Sequence, residues 1–244
     1  MIRGLGTAIN VTSIVTGAGI GVIAGSKFKE STRELVTSTL GFVTLLAAAD
    51  AIKSLWDKKF ITALPAGWTF LVVLAALLVG TLLGLALGIE PFLERFGRSL
   101  KNRFDRHGES PFVEGFVASS LLFVIGPMAI LGSISDGMGA GNQQLVLKSI
   151  LDGITSIAFA ASFGWGVAAS AIPVGIYQFA WTGVGAILGS VLPDYQILAM
   201  TTTGGILLLG ISFRLIKIRE VPVATMLPAI FLAPLFAGLA HQFL

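Results

Sequence analysis

Three aspartates and a short set of uncharged polar residues are the side chains of this 244-residue sequence that could do chemistry inside otherwise apolar runs. Asp50 stands three residues from the end of one run, Asp152 three residues into another, and Asp136 just past the end of a third. An ionisable group within a bilayer is costly, so each is a functional candidate by default. Together they would form an acidic outer mouth that attracts cations and repels anions. The alternative without function is that Lys148 and Asp152, spaced i, i+4, simply pair, while Asp50 and Asp136 are solvated helix ends. Deeper in the runs lie Asn10, Ser119, Ser120, Thr155, Ser156, Tyr177, Gln178 and the threonines Thr201, Thr202 and Thr203. Two of these groups precede weak points of the backbone, Gly126-Pro127 and Gly204-Gly205, whose freed carbonyls suit a dehydrated cation and whose helix-end amides suit an anion. Taken singly, a Ser or Thr in such a run more often bonds its own backbone or a neighbouring helix.

The elements that must hold these residues are apolar helices. The chain is 55% hydrophobic and 12% charged, against an average near 45–50% and 25% in soluble domains. Crossing a bilayer core takes about 20 apolar residues, and eight stretches qualify: Thr7 to Ser26, Thr32 to Lys53, Gly67 to Ile89, Phe112 to Ser135, Ser149 to Ile172, Gly175 to Leu192, Ile197 to Ile216 and Val223 to His241. The corner between the fifth and sixth falls at Ile172-Pro173-Val174. Glycines at four-residue spacing, Gly17, Gly21 and Gly25, then Gly80, Gly84 and Gly88, then Gly185 and Gly189, predict close packing between helices, with a homo-oligomer seam as the lesser use.

Lys and Arg set the orientation. Eleven follow helices one, three and seven (Lys27, Lys29, Arg33; Arg95, Arg98, Lys101, Arg103, Arg106; Arg214, Lys217, Arg219), and five fall on the other side (Arg3, Lys53, Lys58, Lys59, Lys148). The expectation is that both termini lie outside the cytoplasm. Residues 91–107 read as a cytoplasmic amphipathic segment, with Leu93, Phe96, Leu100 and Phe104 on one face, suited to the headgroup layer.

Thr37 to Lys53 overlays Thr201 to Lys217 without a gap, matching at Thr37, Thr39, Gly41, Leu45, Ile52 and Lys53. T-x-L-P-A follows each, at Thr62 to Ala66 and Thr225 to Ala229, and Thr16-Gly17-Ala18-Gly19 echoes Thr182-Gly183-Val184-Gly185. Five crossings separate helix one from helix six, so the second copy is upside down, a construction common in secondary transporters. The expected architecture is one all-α polytopic membrane domain: residues 1–90 as first repeat, the 91–107 segment, a central pair over 112–174, and 175–244 as second repeat.

GFVASSLLFVIGPMAILGSISDG, KSILDGITSIAFAASFGWGVAASAIPV, TTTGGILLLGI and MLPA, with the opening GTAIN, resemble the YdfK/YqgA-like family of bacterial inner-membrane proteins of unknown function. The resemblance implies a multi-pass bacterial inner-membrane protein and carries no substrate or catalytic residues with it. The residues themselves predict no enzyme and no cofactor: there is no cysteine, the two histidines His107 and His241 fall on opposite faces, and no phosphate-binding G-x-x-x-x-G-K-[ST] loop occurs. The expected partners are the lipid bilayer and a small solute or ion, cation somewhat favoured, with nucleic acid excluded. The rival expectations are an ion channel and a non-transporting scaffold or regulatory subunit, the latter favoured by the lack of any deep charge.

Overall fold

The computed structural model describes residues 2–104, 111–125, 127–188 and 192–243; of residues 93, 94, 97, 100–104, 127 and 188 it describes the backbone. Gly126 and the last three residues of the 91–107 segment lie outside the described residues. All regular structure among the described residues is helical. The chain runs α1 (Leu5–Gly25), α2 (Glu30–Ile52), a 3-10 turn (Lys53–Trp56), α3 (Lys58–Ala63), α4 (Trp68–Ala86), α5 (Ile89–Phe104), α6 (Phe112–Val124), α7 (Pro127–Met138), α8 (Gln143–Phe163), α9 (Gly166–Ala169), α10 (Ala171–Leu188), α11 (Asp194–Leu215), a second 3-10 turn (Val223–Met226) and α12 (Pro228–Phe243).

Seven of these segments are long and apolar enough to cross a membrane, and the helices Phe112–Val124 and Met128–Met138, bent by 61° to each other, make an eighth if they form one span. Helix directions bear on that point. The approaches Gly6 to Asn142, Gly17 to Gly153, Gly21 to Ile157 and Gly25 to Ala161 rise together, so α1 and α8 run parallel. Gly80 meets Ala229 and Gly84 meets Thr225, so α4 and α12 run antiparallel. With each other apolar helix crossing once, a bent pair that re-entered on one side would reverse both relations. Both relations fit a pair that crosses, and the described residues are all-α with seven candidate membrane spans, or eight with that pair as one.

The side chains face as a bilayer solvent dictates. On α4 the large residues Leu71, Leu74, Leu78, Leu82 and Leu85 are exposed while Val72, Val73, Ala76, Gly80 and Gly84 are buried. Lipid replaces water outside, so bulk goes outward and small residues bring backbones together.

The chain divides into two compact units. The first holds Met1–Leu40, Glu94–Val124 and Met128–Val191. Here α1 lies along α8, its glycines against the carbonyls of Gly153, Ile157 and Ala161, and Arg33 donates to the Gly25 carbonyl at the end of α1 (3.1 Å). Gly166 packs on the Phe112 carbonyl, and the Phe96 ring of α5 lies 5.9 Å from that of Phe116. Two expectations change in this unit. Helix α8 begins at Gln143, six residues before Ser149, because Lys148 is paired inside the fold and does not mark a helix end. The corner before α10 lies at Gly164, whose φ of 69° favours glycine. Pro173 is the third residue of α10, in a first turn where its missing N–H costs no helical bond.

The second unit holds Gly41–Leu93, Ile125–Pro127 and Leu192–Leu244. Its core includes Phe60, Val72, Val73, Ala76, Ala199, Ala233 and Ala237. Glu90 accepts from both the Thr225 N–H (3.1 Å) and its hydroxyl (3.3 Å), fixing the turn before α12. Helix α11 is continuous through Gly204-Gly205, so no break occurs there. The two glycines serve approach instead: Gly204 takes the Ile125 side chain, and Gly205 takes Ala51 and Ile52. Gly41 in turn faces Leu215 and Ile216. In the overlay of Thr37–Lys53 on Thr201–Lys217, Gly41 aligns with Gly205, Ala51 with Leu215 and Ile52 with Ile216, so each segment places its glycine against the same aligned positions of the other. The T-G-x-G echo is not matched in this way: Gly17 packs on Gly153, whereas Gly183, aligned with it, has no neighbour within 4 Å.

Candidate functional site

Asn10 is the sixth of the twenty-one residues of α1 and belongs to the face formed by Gly6, Thr7, Asn10, Ile14 and Gly17, all buried. Its amide donates both hydrogens: one to Asp152 Oδ2 on α8 (3.0 Å) and one to Gln178 Oε1 on α10 (3.3 Å). Asp152 Oδ2 also accepts from Lys148 Nζ one turn earlier, at 2.5 Å. The ammonium lies 5.9 Å from the centroid of the Phe123 ring on α6, within cation–π range. Four helices of the first unit thus converge on one ion pair and two amides. Asn10 and Gln178 are fully buried, and Asp152 and Lys148 are 6% and 7% exposed.

The start of α8 at Gln143 makes Asp152 its tenth residue of twenty-one, so this carboxylate sits halfway along its helix and not near an end. The absence of deep charge expected from the sequence is corrected accordingly. A buried pair of opposite charges survives in such surroundings when further hydrogen bonds use the remaining lone pairs, which is what Asn10 supplies.

Asp136, on α7, is 1% exposed, and its Oδ2 accepts from the Gly6 N–H in the first turn of α1 (3.1 Å). A carboxylate at a helix start complements the positive end of the helix dipole and takes up a donor that has no partner within the helix. Its other oxygen, Oδ1, has no hydrogen-bond partner among the described residues, and the same holds for Thr7 Oγ1, Asn10 Oδ1, Ser156 Oγ and Gln178 Nε2. All five belong to the first unit.

Asp136 and Asp152 sit in the same local motif. Ser133-Ile134-Ser135-Asp136-Gly137 and Ser149-Ile150-Leu151-Asp152-Gly153 share S-I-x-D-G. Both serines bond back to the carbonyl four residues earlier, Ser133 to Ala129 and Ser149 to Leu145, each at 2.6 Å. Both glycines face a neighbouring backbone, Gly137 the Thr182 carbonyl and Gly153 the Ser13 carbonyl of α1. This repeat is the signal that could have marked the two aspartates as equivalent inward positions from sequence; no such local signal points to Thr7.

The other expected residues do different things. Asp50, in the second unit, pairs with Lys53 at 3.4 Å with both side chains about four-fifths exposed (80% and 78%), where an ion pair is worth little. Ser119 and Ser120 donate to the carbonyls of Gly115 and Phe116 in their own helix, both at 2.5 Å. Thr201 and Thr203 do likewise, to Ile197 and Ala199, both at 2.8 Å. Thr202 is fully buried with its hydroxyl unpartnered. Pro127 opens α7, directly after Gly126. Of the expected positions, the structure gathers Asn10, Asp152 and Gln178 into one hydrogen-bonded group and places Asp136 one helical turn along α1 from it. Among the described residues no group of three or more His, Cys, Asp or Glu side chains is placed to hold a metal ion.

Two curated proteins are similar along nearly the whole chain. The uncharacterized membrane protein YdfK of Bacillus subtilis (strain 168) is 29% identical over 98% of this chain and 97% of its own length. The uncharacterized protein YqgA of Escherichia coli (strain K12) is 28% identical over 96% of this chain and 97% of its own length. No solved structure matches. The family described as "Protein of unknown function (DUF554)" matches residues 5–238, and the chain, with its several candidate membrane spans, belongs to that family.

Proposed function

We propose that the protein carries a small solute or ion, cation somewhat favoured, across the bacterial inner membrane, with the Asn10–Lys148–Asp152–Gln178 cluster as its binding site. The observation that carries the reading is the buried ion pair halfway along α8, held by amides from α1 and α10. Charges retained among membrane helices mark pathways more often than scaffolds. The scaffold reading drew its strength from a lack of deep charge, and loses it here.

An inverted repeat frames this site. The reciprocal contacts of Gly41 and Gly205 support it, since a two-fold relation between copies requires that i meet j and j meet i. The helices it makes equivalent also fall into common units: the first and sixth spans in one, the third and eighth in the other. Asn10 then comes from the first copy, Gln178 from the second, and Asp152 from the pair between them. The distribution of Lys and Arg supports placing both termini outside the cytoplasm, with α5 on the cytoplasmic surface among lipid headgroups. No catalytic step is assigned to the chain.

Reconstitution into proteoliposomes tests the proposal. Against a panel of inorganic ions and small metabolites, the wild-type protein should give flux for at least one, and Asp152→Asn should lower it by at least about tenfold, the scale of one lost charge-assisted contact. Asp50→Asn should leave it unchanged. Flux indifferent to Asp152→Asn removes the site from the mechanism, and single-channel currents would replace carrier by channel.

A further inference from the structure

The polar cluster carries uncompensated negative charge. Asp136 and Asp152 bring two carboxylates, and the Lys148 ammonium is committed to Asp152 at 2.5 Å. The start of α1 offsets part of the Asp136 charge, about half an elementary charge at most, through the Gly6 N–H on Oδ2. What is left over is Asp136 Oδ1, buried and unpartnered. Two further unpartnered oxygens lie on the buried face of the same first turns of α1, Thr7 Oγ1 and Asn10 Oδ1, three residues apart and so on one side of the helix. Asn10 Oδ1 is fixed as an acceptor aimed away from its partners, because both amide hydrogens are engaged by Asp152 and Gln178. A carboxylate oxygen, an amide oxygen and a hydroxyl are hard oxygen donors with a single net charge among them. Divalent ions take more carboxylates and transition metals take imidazole or thiolate, and no such group is gathered among the described residues.

The geometry points to a monovalent alkali cation, Na+ or K+, held between α1 and α7 by Asp136 Oδ1, Thr7 Oγ1 and Asn10 Oδ1. The assignment rests on the transport reading and deepens it: the ion shares Asn10 with the Lys148–Asp152 pair, so its binding is felt at the site through that one side chain.

The test is thermal unfolding of the purified full-length protein in detergent, at constant ionic strength, in NaCl, KCl or choline chloride. A ligand that binds only the folded state raises its stability. The wild-type protein should unfold at higher temperature in NaCl or KCl than in choline chloride, saturably. Asp136→Asn should lose the difference, since asparagine still accepts from the Gly6 N–H but brings no charge. Thr7→Val, which keeps shape and burial, should weaken the apparent cation affinity by about tenfold, the scale of one lost oxygen ligand, and carries the test by itself if Asp136→Asn does not fold. Equal unfolding in all three salts, a full shift retained in both variants, or stabilisation by acid alone overturns the assignment. Flux without a cation-dependent shift would leave transport standing and remove the cation site; the shift without flux would do the reverse.

Discussion

Lys148→Met should cost the folded protein about 3–5 kcal/mol, because it leaves the Asp152 carboxylate buried with only the Asn10 amide to compensate it. Lys148→Met combined with Asp152→Leu removes both charges and should recover most of that loss, since an apolar pair of similar volume is a tolerable replacement for a buried ion pair. A residue of about 1 kcal/mol should remain, from the Asn10 N–H that no longer has an acceptor. Equilibrium unfolding in mixed micelles measures all three. Both the single and the double variant should be inactive in flux. That outcome would separate what the pair does for the fold, which the double variant restores, from what it does for transport, which neither retains. Equal stability of wild type and Lys148→Met would show that the pair is not buried as described.

Gly21→Leu should be severely damaging to the packing of α1. Even a Cβ there meets the Ile157 carbonyl and lies 2.9 Å from the Ala160 Cβ, and a leucine would force α1 and α8 apart along a contact that continues through Gly17 and Gly25. Overpacking costs about 1–3 kcal/mol when side chains can yield, and backbone carbonyls yield less, so the folded yield should collapse. Gly19→Leu, two residues away with no neighbour within 4 Å, should be expressed and folded like the wild type. Size-exclusion profiles of the two variants give the comparison directly. Similar profiles for both would contradict the packing of α1 on α8.

The number and order of spans were legible because hydropathy alone carries them: a helix in lipid needs its length and its apolar surface, and both are written locally. Helix ends were less so. Lys148 reads as a charge outside the membrane until its partner is known, and that one residue moved the start of helix five and, with it, the depth of Asp152. Pro173 is the strongest punctuation between helices five and six, yet a proline in a first turn is compatible with the helix, and the chain turns at Gly164 because its backbone adopts a positive φ. Gly204-Gly205 read as a break and proved to be a packing surface, since whether a glycine bends a helix or admits a neighbour depends on what lies against it. Asn10, Asp152 and Gln178 were legible as polar residues in apolar runs. Their meeting was not, because it depends on the parallel register of α1 and α8, set by glycine contacts far apart in the chain. Of the seven serines and threonines named from the sequence, Ser119, Ser120, Thr201 and Thr203 bond within their own helix, while the buried hydroxyls of Ser156 and Thr202 have no partner among the described residues.

The chain has no cysteine, which makes one measurement direct: the reactivity of single introduced thiols toward a membrane-impermeant maleimide in intact cells and in inverted vesicles. If a solute passes by the cluster, Ser156→Cys and Gln178→Cys, both buried among the helices of the first unit, should react, and adding the transported solute should slow the reaction. Asp57→Cys, at the exposed turn before α3, should react from one side and ignore the solute. Thiols at positions 156 and 178 that stay unreactive from both sides, while position 57 labels normally, would mean that nothing reaches the ion pair, and the cluster would be a clasp between helices and not a site.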